Sequence, residues 1–560
     1  MSANAVRLFN EGRRLFDAGM IADATELLGR ARELTPDDPR CARWLAEAQI
    51  ESSQLTAASV TLEEALHRDP VCDDLMVLKA ELELERGSLT TAESVLDQAM
   101  AHGNASAAVL AQRARVCLFA GEHAAATALL RRSLAIDPHN LAVQSALIVE
   151  ASTKPLMTTA RLKALQRNWG PETPVNRDRK WPIDPRPDRR LRIGYVSAAF
   201  HRHAVAKVFS AVVLNHDPGQ FEVYCYASRR KRDSVSVRLR LAGVHWRSIA
   251  GFNDVEAAEL IRHDDIDLLV DLDGHFNRNR LGIFNLRAAP AQASAWGYVS
   301  GPGIAGIDYL LTDDVIVPPH ERECFSEHLM GLPWAQPYDA DLMRRPVPRA
   351  APPSAPDSDR GSPIRFGCFN GYHKLSDDTL ALWSRILSAC PNSTLTLKDR
   401  FFADPRTRAR ILERFSRNGT DPRRILLETS VPHTEYLAAY DCIDLALDPF
   451  PIPGGVTTLD GLSQGVPVVT LAGAEPSARL GASILASVGL HHLVCRTQRE
   501  YMDRVVELSS APGALARLRP QTLWSFEHRL QRSRPGYVRA VEAAYREIWS
   551  RTCASAHEAL

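Results

Sequence analysis

Small and apolar residues in the first quarter of the chain recur at an interval of 34 residues. A small residue marks each interval, at Gly19, Ser53, Gly87 and Gly121. Leucines keep the same interval, at Leu28, Leu62, Leu96 and Leu130. Small residues let two helices cross closely and commonly end a helix. The pattern therefore predicts four helical hairpins over residues 1–140.

This repeat resembles the tetratricopeptide repeat, a helix–turn–helix unit of the same length. Three units close on a proline, at Pro36, Pro70 and Pro138, whereas the third has Asn104 at that place. Such arrays form α-solenoids that bind peptides or partner proteins in a concave groove. We expect the repeats to recruit a polypeptide. A purely structural array, or a homodimer formed through the repeats, is the alternative.

The repeat pattern stops near residue 140. Segments 141–150 and 159–169 predict two closing helices. Residues 170–189 predict an extended connector because proline removes backbone donors and fixes φ. The connector prolines are Pro171, Pro174, Pro182, Pro185 and Pro187. We assign residues 141–190 to these closing helices and the connector.

From residue 191 onward, short apolar runs alternate with helical segments in two series, 191–345 and 364–560. A segment rich in proline, 346–363, separates them and predicts a linker. Alternation of this kind predicts two Rossmann-like lobes with parallel sheets and ligands beyond the carboxyl ends of the strands. Beyond Gln498 the second series is helical. Its expected packing anchors are Trp524, Phe526, Tyr537, Tyr545 and Trp549.

Composition narrows the class of protein. A chain of 560 residues is long enough for two or three domains. Its 67 Lys and Arg balance 67 Asp and Glu, which argues against nucleic acid or an anionic membrane as the main partner. The 10 cysteines include no Cys-x-x-Cys pair, so they indicate neither a disulfide framework nor a zinc motif. With no apolar signal core at the start and no apolar run long enough to span a membrane, we expect a cytoplasmic protein.

The clearest chemistry lies at residues 448–460 in the second series. A buried strand runs into a turn with Gly454 and Gly455, and a short helix begins near Thr457 and Thr458. Glycine lets a backbone approach a ligand closely, and a helix N-terminus attracts anions. The stretch therefore predicts a diphosphate site. An ordinary capped turn between a strand and a helix is the alternative.

Polar loops follow three predicted strands of the first series. They carry His203, His275, and a glycine-rich loop that includes Gly301 and Gly303. A neutral histidine can orient a hydroxyl or accept its proton. Each histidine alone would more simply be a surface loop residue. Their shared position at strand ends favours a site.

The chain as a whole resembles the O-linked N-acetylglucosamine transferase/SPINDLY family. Repeats and two lobes occur in the family's order, so the resemblance covers essentially the whole chain. The motifs that carry it are 192–197, His203, 287–293, 297–298, 308–309, Asp313, 369–370, Lys374, 448–451, 454–460 and 465–470. The resemblance implies a GT-B fold, with the acceptor on the first lobe and the nucleotide sugar on the second. It also implies an inverting transferase for protein Ser or Thr hydroxyls that needs neither a metal nor a cofactor.

The resemblance also implies residue roles. Lys374 would contact the donor diphosphate and help the nucleotide leave, and Asp460 would fix the ribose. His203 would shape the acceptor site or act as base. The donor-binding candidates are Asn370, Tyr436, Gly454, Gly455, Val456, Thr457, Thr458 and Asp460. Weaker pocket candidates are His275, Gly301, Gly303 and His433.

Several departures from the family pattern leave the donor and the acceptor side open. Val456 replaces a threonine of the phosphate turn, Val299 replaces a common proline, and Ala204 follows His203 where the animal enzymes have proline. His433 and Tyr436 stand where the family contacts the base. We expect UDP-GlcNAc as donor. The alternatives are a GDP-fucose-using or other glycosyltransferase of the same fold, and an inactive repeat adaptor.

Overall fold

A computed structural model of the protein describes residues 2–101, 105–154, 156–170, 188–339, 363–511 and 513–558, and residues 175, 179, 181, 184, 186 and 342 singly. Asn104, most of the connector at 170–189 and nearly all of the linker at 346–363 therefore lie outside the described residues.

The repeats form paired helices, as the 34-residue interval predicts. The four pairs are α1 (Ala3–Asp17) with α2 (Ile21–Leu34), α3 (Pro39–Glu51) with α4 (Leu55–Arg68), α5 (Asp73–Arg86) with α6 (Leu89–Ala101), and α7 (Ala107–Ala120) with α8 (His123–Ile136). The turn inside each pair needs left-handed backbone. Gly19, Gly87 and Gly121 take φ values of 78°, 81° and 75°, and Ser53 takes 63° in the same phase. This shared backbone explains why a small residue recurs there.

Two further helices, α9 (Leu141–Ser152) and α10 (Thr159–Gln166), close the array and pack on the first lobe. Ile148, Leu162 and Trp169 share a core with that lobe. Lys163 is buried and pairs with the buried Glu327 at 3.2 Å. The closing helices are therefore part of the first lobe's wall.

The first lobe contains a seven-stranded parallel sheet of order β3-β2-β1-β4-β5-β6-β7. Its strands are β1 (Leu191–Ser197), β2 (Phe221–Ala227), β3 (His245–Ser248), β4 (Leu268–Asp271), β5 (Ala291–Ser294), β6 (Tyr309–Thr312) and β7 (His328–Gly331). Its helices are α11 (Ala206–Val213), α12 (Ser234–Leu241), α13 (Asp254–His263) and α14 (Leu281–Asn285). The strand order reverses between β1 and β4, which is where doubly wound sheets bind ligands.

The second lobe contains a six-stranded parallel sheet of order β10-β9-β8-β11-β12-β13. Its strands are β8 (Arg365–Cys368), β9 (Thr394–Lys398), β10 (Ile425–Glu428), β11 (Leu445–Leu447), β12 (Val468–Leu471) and β13 (Val494–Cys495). Its helices are α15 (Asp377–Ala389), α16 (Pro405–Arg417), α17 (His433–Ala439), α18 (Val456–Ser463), α19 (Leu480–Ser487), α20 (Gln498–Ser510) and α21 (Ala514–Ser525), followed by a π-helix at Phe526–Gln531. The fold is an α-solenoid followed by two Rossmann-like lobes, as the sequence predicts.

The last helix, α22 (Arg534–Glu558), corrects one domain assignment. The sequence placed 364–560 in one lobe, but Tyr537, Tyr545 and Trp549 are buried in the core of the first lobe. The Trp296 indole N–H donates to Tyr537 Oη at 2.9 Å. The chain therefore crosses back after the second lobe, because the aromatic face of α22 completes the first lobe's core.

One expected packing anchor is not buried. Trp524 is 55% exposed and stacks on His528 with ring centroids 4.5 Å apart. Phe526, two residues later, is buried in the second lobe. Helical phase therefore separates the two side chains, with Phe526 facing the core and Trp524 facing solvent.

No helix among the described residues is both long and apolar enough to cross a membrane.

The third repeat packs directly on the second lobe. Leu89 and Leu96 of α6 belong to the same apolar core as that lobe's sheet. Asp404 caps the N-terminus of α16. Its carboxylate also accepts hydrogen bonds from the backbone N–H and the hydroxyl of Thr90, at 2.8 and 2.7 Å. Glu93 pairs with Arg410 at 2.8 Å. The array and the second lobe therefore share a core and an ion pair.

The same array contacts the first lobe through charges. Arg230 donates to Asp17 at 2.8 Å, and Arg229 donates to Glu51 at 2.9 Å. Arg278 pairs with Glu81 of α5. Acidic side chains from three successive repeats thus meet arginines of one lobe. The repeats bridge both lobes, with an apolar contact on one side and ion pairs on the other.

Candidate active site

The second-lobe half of the site begins where β8 ends. Asn370 follows the strand, and a 3-10 turn at Tyr372–Lys374 directs Lys374 toward the glycine-rich turn. The ammonium of Lys374 donates to the Pro453 carbonyl at 2.8 Å. Burial lowers the pKa of Lys374, while the nearby Asp448 opposes that shift. The structure thus places the predicted lysine against the predicted phosphate turn.

Asp448 folds the phosphate turn back on itself. It follows β11, and its carboxylate accepts the Gly454 N–H at 2.7 Å and the Thr470 hydroxyl at 2.7 Å. The Asn370 amide donates to the same carboxylate at 3.4 Å. Burial raises the pKa of Asp448 to about 6, and these hydrogen bonds oppose the rise. Asp448 therefore anchors the turn and ties it to the end of the neighbouring strand β8.

The turn leads into the open N-terminus of α18. Gly455 caps this helix without a side-chain hydrogen bond. Among the described residues, none accepts the N–H groups of Val456, Thr457 or Thr458. The Thr457 hydroxyl donates to Asn370 at 2.8 Å, and the buried Thr458 hydroxyl has no described partner. Free donors at a helix N-terminus suit an anion.

The fit of this turn excludes a side chain at Gly454. A Cβ there would lie 2.4 Å from Thr458 Oγ1, 2.7 Å from Thr457 Oγ1 and 2.9 Å from Asp448 Oδ1. All three distances fall below normal contact. The backbone can approach the helix end this closely only because position 454 is glycine.

Aromatic side chains line the edge of the turn. Tyr436 and His433 of α17 stack with centroids 6.0 Å apart. The Tyr440 hydroxyl donates to the Thr457 carbonyl at 3.0 Å and lies 3.1 Å from the Tyr436 hydroxyl. Burial lowers the pKa of His433. The pair His433 and Tyr436 thus offers a stacking face connected to the phosphate turn.

Asp460 has a role that the sequence did not indicate. Its carboxylate is 1% exposed, accepts from the Lys207 ammonium at 3.0 Å, and accepts from the Tyr338 hydroxyl at 2.8 Å. Both partners come from the first lobe. Asp460 therefore forms a bridge between the lobes in this structure, and its contact with a ribose stays a prediction.

The first-lobe half contains His203, in the loop between β1 and α11. The Val205 N–H donates to His203 Nδ1 at 3.3 Å. The residue as a whole is exposed. Desolvation of its imidazole by neighbouring groups, together with the charges of Arg229 and Lys231, lowers the pKa of His203 to about 4. The ring is then neutral near pH 7. Because Nδ1 accepts, Nε2 carries the hydrogen and presents a donor.

Asp273 fixes the loop that carries His203. It accepts the Ser197 hydroxyl at 2.7 Å and the Ala198 N–H at 2.6 Å. Burial and the neighbouring Asp271 raise the pKa of Asp273 to about 7. Asp271 itself accepts the Gly274 N–H at 3.0 Å and the Ser294 hydroxyl. The Asp-x-Asp sequence here thus binds backbone and hydroxyl donors.

The loop of His203 is also linked to the repeats. The Arg202 N–H donates to Asp233 at 2.6 Å. Asp233 caps the N-terminus of α12 and follows the segment 229–231, which contacts the repeats. The residue directly before His203 therefore makes a backbone contact that leads to the array.

Three weaker candidates contact strands and closing helices of the first lobe. His275 is 1% exposed, and its ring contacts the Ser145 hydroxyl at 3.1 Å and the Pro302 carbonyl at 2.8 Å. A Cβ on Gly301 would meet Leu310 at 2.7 Å, and one on Gly303 would meet Gln166 at 2.5 Å. These residues pack on the strands and closing helices. These contacts are structural, and a role for the three residues in the pocket stays a prediction.

We expect His275 to make the protein less stable in acid. Burial lowers its pKa from 6.5 to about 4, so the unfolded chain gains the proton first. Stability present above pH 6.5 is then lost as the pH falls to about 4, by roughly 3 kcal/mol. Between about pH 7 and about pH 5, thermal unfolding should shift less in His275→Gln than in the wild type. Equal shifts in both proteins would contradict this role, since the other histidines are unchanged.

Three residues of the cleft were missed from the sequence: Lys207, Gln336 and Tyr338. One signal was available for Lys207, because every other residue of α11 is buried and a lone lysine in such a helix needs a partner. Gln336 and Tyr338 follow β7 in a loop with no periodic pattern. Only the approach of the two lobes reveals them.

Comparison with known proteins agrees with this arrangement. A model described as Glycosyl transferase family 41 matches residues 177–336 and 360–532. The chain belongs to glycosyl transferase family 41. A model described as Tetratricopeptide repeat matches residues 15–82.

Curated relatives include plant proteins. The Arabidopsis thaliana protein described as probable UDP-N-acetylglucosamine–peptide N-acetylglucosaminyltransferase SPINDLY is 34% identical over 372 residues, covering 66% of this chain and 40% of that protein. The Arabidopsis thaliana protein of the same description named SEC is 29% identical over 379 residues, covering 65% and 38%. The chain thus spans about 40% of the length of the SPINDLY relative.

A solved structure matches nearly the whole chain. It is a lysine-to-methionine mutant of the Thermobaculum terrenum O-GlcNAc transferase, 32% identical, with a TM-score of 0.84. The match covers 92% of this chain and 98% of that one. The arrangement of repeats and two lobes is therefore shared.

Proposed function

We propose that the protein is an inverting, metal-independent O-glycosyltransferase that moves N-acetylglucosamine from UDP-GlcNAc to serine or threonine hydroxyls of proteins. The open N-terminus of α18 facing Lys374 carries the proposal. It offers the unpaired N–H groups of Val456, Thr457 and Thr458 and one ammonium to a diphosphate. The names of the relatives and of the solved neighbour support the choice of sugar.

In the proposed reaction, the acceptor hydroxyl oxygen forms a bond to the anomeric carbon while the bond from that carbon to the diphosphate breaks. The hydroxyl proton passes to solvent or to an oxygen of the departing diphosphate. Negative charge grows on the leaving diphosphate. Lys374 and the positive end of α18 stabilise that charge where it develops, which is the part that lowers the barrier. These groups supply positive charge from the chain itself, and the proposal includes no cofactor.

The acceptor hydroxyl would enter from the first lobe. His203 Nε2–H is a donor, so His203 is proposed to orient the hydroxyl oxygen. A change of tautomer would be needed before His203 could accept the hydroxyl proton. Asp273 holds the start of this loop, and the Val205 N–H donates to Nδ1 of the ring. Positioning of this kind accelerates a displacement by aligning the reacting atoms.

The nucleotide base would stack on Tyr436, next to His433. A single aromatic face accepts uracil and guanine alike. The donor with a guanosine diphosphate, such as GDP-fucose, is therefore tested together with the uridine donor.

The repeats are proposed to recruit the acceptor polypeptide. This role is supported by the contact between the array and the segment 229–231. That segment leads through Asp233 to the loop of His203. A polypeptide bound along the repeats would thus be delivered to the first-lobe side of the cleft.

Calorimetry with UDP, GDP, UDP-GlcNAc and GDP-fucose tests the proposal, followed by mass spectrometry of peptides incubated with each sugar nucleotide. Because the relatives' names specify UDP-N-acetylglucosamine, we expect UDP to bind more tightly than GDP, by at least roughly tenfold or about 1.4 kcal/mol, and UDP-GlcNAc to modify Ser or Thr. A preference for GDP would move the assignment to a fucosyltransferase. Absence of binding by all four would contradict these donors and favour an adaptor or another donor nucleotide.

A further inference from the structure

Gln336 is a buried amide with one unsatisfied end beside the phosphate turn. It lies in the loop after β7 and is 7% exposed. Its amide nitrogen donates to the Trp296 carbonyl at 2.9 Å. Its Oε1 is buried and has no hydrogen-bond partner among the described residues. A buried acceptor without a partner is costly, so such a group needs an explanation.

The orientation of this amide follows from chemistry. A backbone carbonyl only accepts, so the end of Gln336 that faces Trp296 must be the NH₂ group. The oxygen then faces the other way, toward the second lobe. A Cβ built on Gly455 would lie 3.3 Å from Gln336 Oε1. The unpartnered oxygen therefore points at Gly455, which caps the N-terminus of α18.

Neighbouring contacts hold Gln336 in that position. The Ala335 N–H donates to Ser483 at 3.4 Å, and the Tyr338 hydroxyl donates to Asp460 at 2.8 Å. Residues on both sides of Gln336 are thus attached to the second lobe. Trp296, whose carbonyl accepts the Gln336 amide, is itself buried, at 1% exposed. The amide is pre-organised before any ligand arrives.

A diphosphate cannot satisfy this oxygen. Phosphate oxygens accept hydrogen bonds, as Gln336 Oε1 does, so the two would repel each other. The missing partner must carry an O–H or N–H group and lie next to the diphosphate on its first-lobe side. In a sugar nucleotide, the group in that position is the sugar.

We infer that Gln336 Oε1 accepts a hydrogen bond from a hydroxyl or amide N–H of the donor sugar, and that Gln336 is a specificity-determining residue contributed by the first lobe. The inference rests on the proposed function, since it needs a sugar nucleotide at the phosphate turn. It assigns the sugar subsite to the space between Gly455 and Trp296.

The test compares Gln336→Met with Gln166→Met. Methionine keeps the length of glutamine and removes both polar ends. Gln166 is a matched control, because it is also a buried amide with an unpartnered Oε1, but it contacts Gly303 behind the cleft. Calorimetry measures the Kd of UDP and of UDP-GlcNAc for each full-length protein. Thermal unfolding checks that both variants fold.

We expect Gln336→Met to bind UDP within about twofold of the wild type and UDP-GlcNAc roughly five- to twentyfold more weakly, the usual range for one lost hydrogen bond that leaves a buried donor unpaired. Gln166→Met should leave the ratio of the two constants unchanged. Unchanged UDP-GlcNAc binding in Gln336→Met, or equal loss for both ligands, would overturn the inference. If the wild type bound neither ligand, the proposed function would fail and the sugar contact with it.

Discussion

Replacing Lys374 with methionine is expected to lower the rate of sugar transfer by roughly two to three orders of magnitude, the effect typical of losing one group that stabilises a developing anion. The ammonium lies 2.8 Å from the Pro453 carbonyl, at the edge of the turn where the diphosphate would leave. Methionine keeps the aliphatic stem and removes only the charge. The measurement is kcat at saturating sugar nucleotide, together with the Kd of the free nucleotide.

Lys398→Met is the matched control for this experiment. Lys398 is also a buried lysine of the second lobe, 6% exposed, but it pairs with Glu428 at 2.9 Å on the neighbouring strands. Its loss should change stability while leaving kcat within a few-fold. A Lys374→Met protein that turned over at the wild-type rate would remove Lys374 from the reaction and leave α18 as the sole anion site.

Gly454→Ala is expected to weaken nucleotide binding by roughly one to two orders of magnitude, because overpacking a closed site costs about 1–3 kcal/mol. The new Cβ would lie 2.4 Å from Thr458 Oγ1 and 2.9 Å from Asp448 Oδ1. One of these atoms must move, and both shape the turn that presents the free N–H groups. Calorimetry with UDP reports the loss directly.

Gly331→Ala provides the comparison, since a Cβ at that position meets nothing within 4 Å. We expect it to bind UDP as the wild type does. The two predictions also separate binding from chemistry: Gly454→Ala should act mainly on Kd, whereas Lys374→Met should act mainly on kcat. Wild-type UDP affinity in Gly454→Ala would mean that the nucleotide does not occupy this turn.

The order of elements along the chain could be derived from the sequence. The repeat interval predicted where the first helix of each pair ends, and the structure shows left-handed backbone at that place, even at Ser53. The phosphate turn was equally readable, because strand, glycines and helix are consecutive. Its members Gly454, Thr457 and Thr458 meet through contacts only a few residues apart in sequence.

Contacts between distant segments could not be derived in the same way. The sequence did not indicate that the Asp460 carboxylate accepts a hydrogen bond from Lys207, 253 residues earlier in the chain. His275 ends a strand as a site residue would, yet its partner Ser145 comes from a closing helix. Sequence shows that a polar residue ends a strand; it does not show which segment packs over that end.

The sequence by itself determined the local structure of this protein: the four repeats, the two series of strands and helices, and the turn that begins α18. Spacing and residue type settle these because each depends on backbone geometry over a few residues. The tertiary structure alone decided that α22 returns to the first lobe, that the array bridges both lobes, and that Gln336 faces Gly455 across the cleft. Those features depend on how separately formed surfaces pack together, and no local pattern records which surface each one meets.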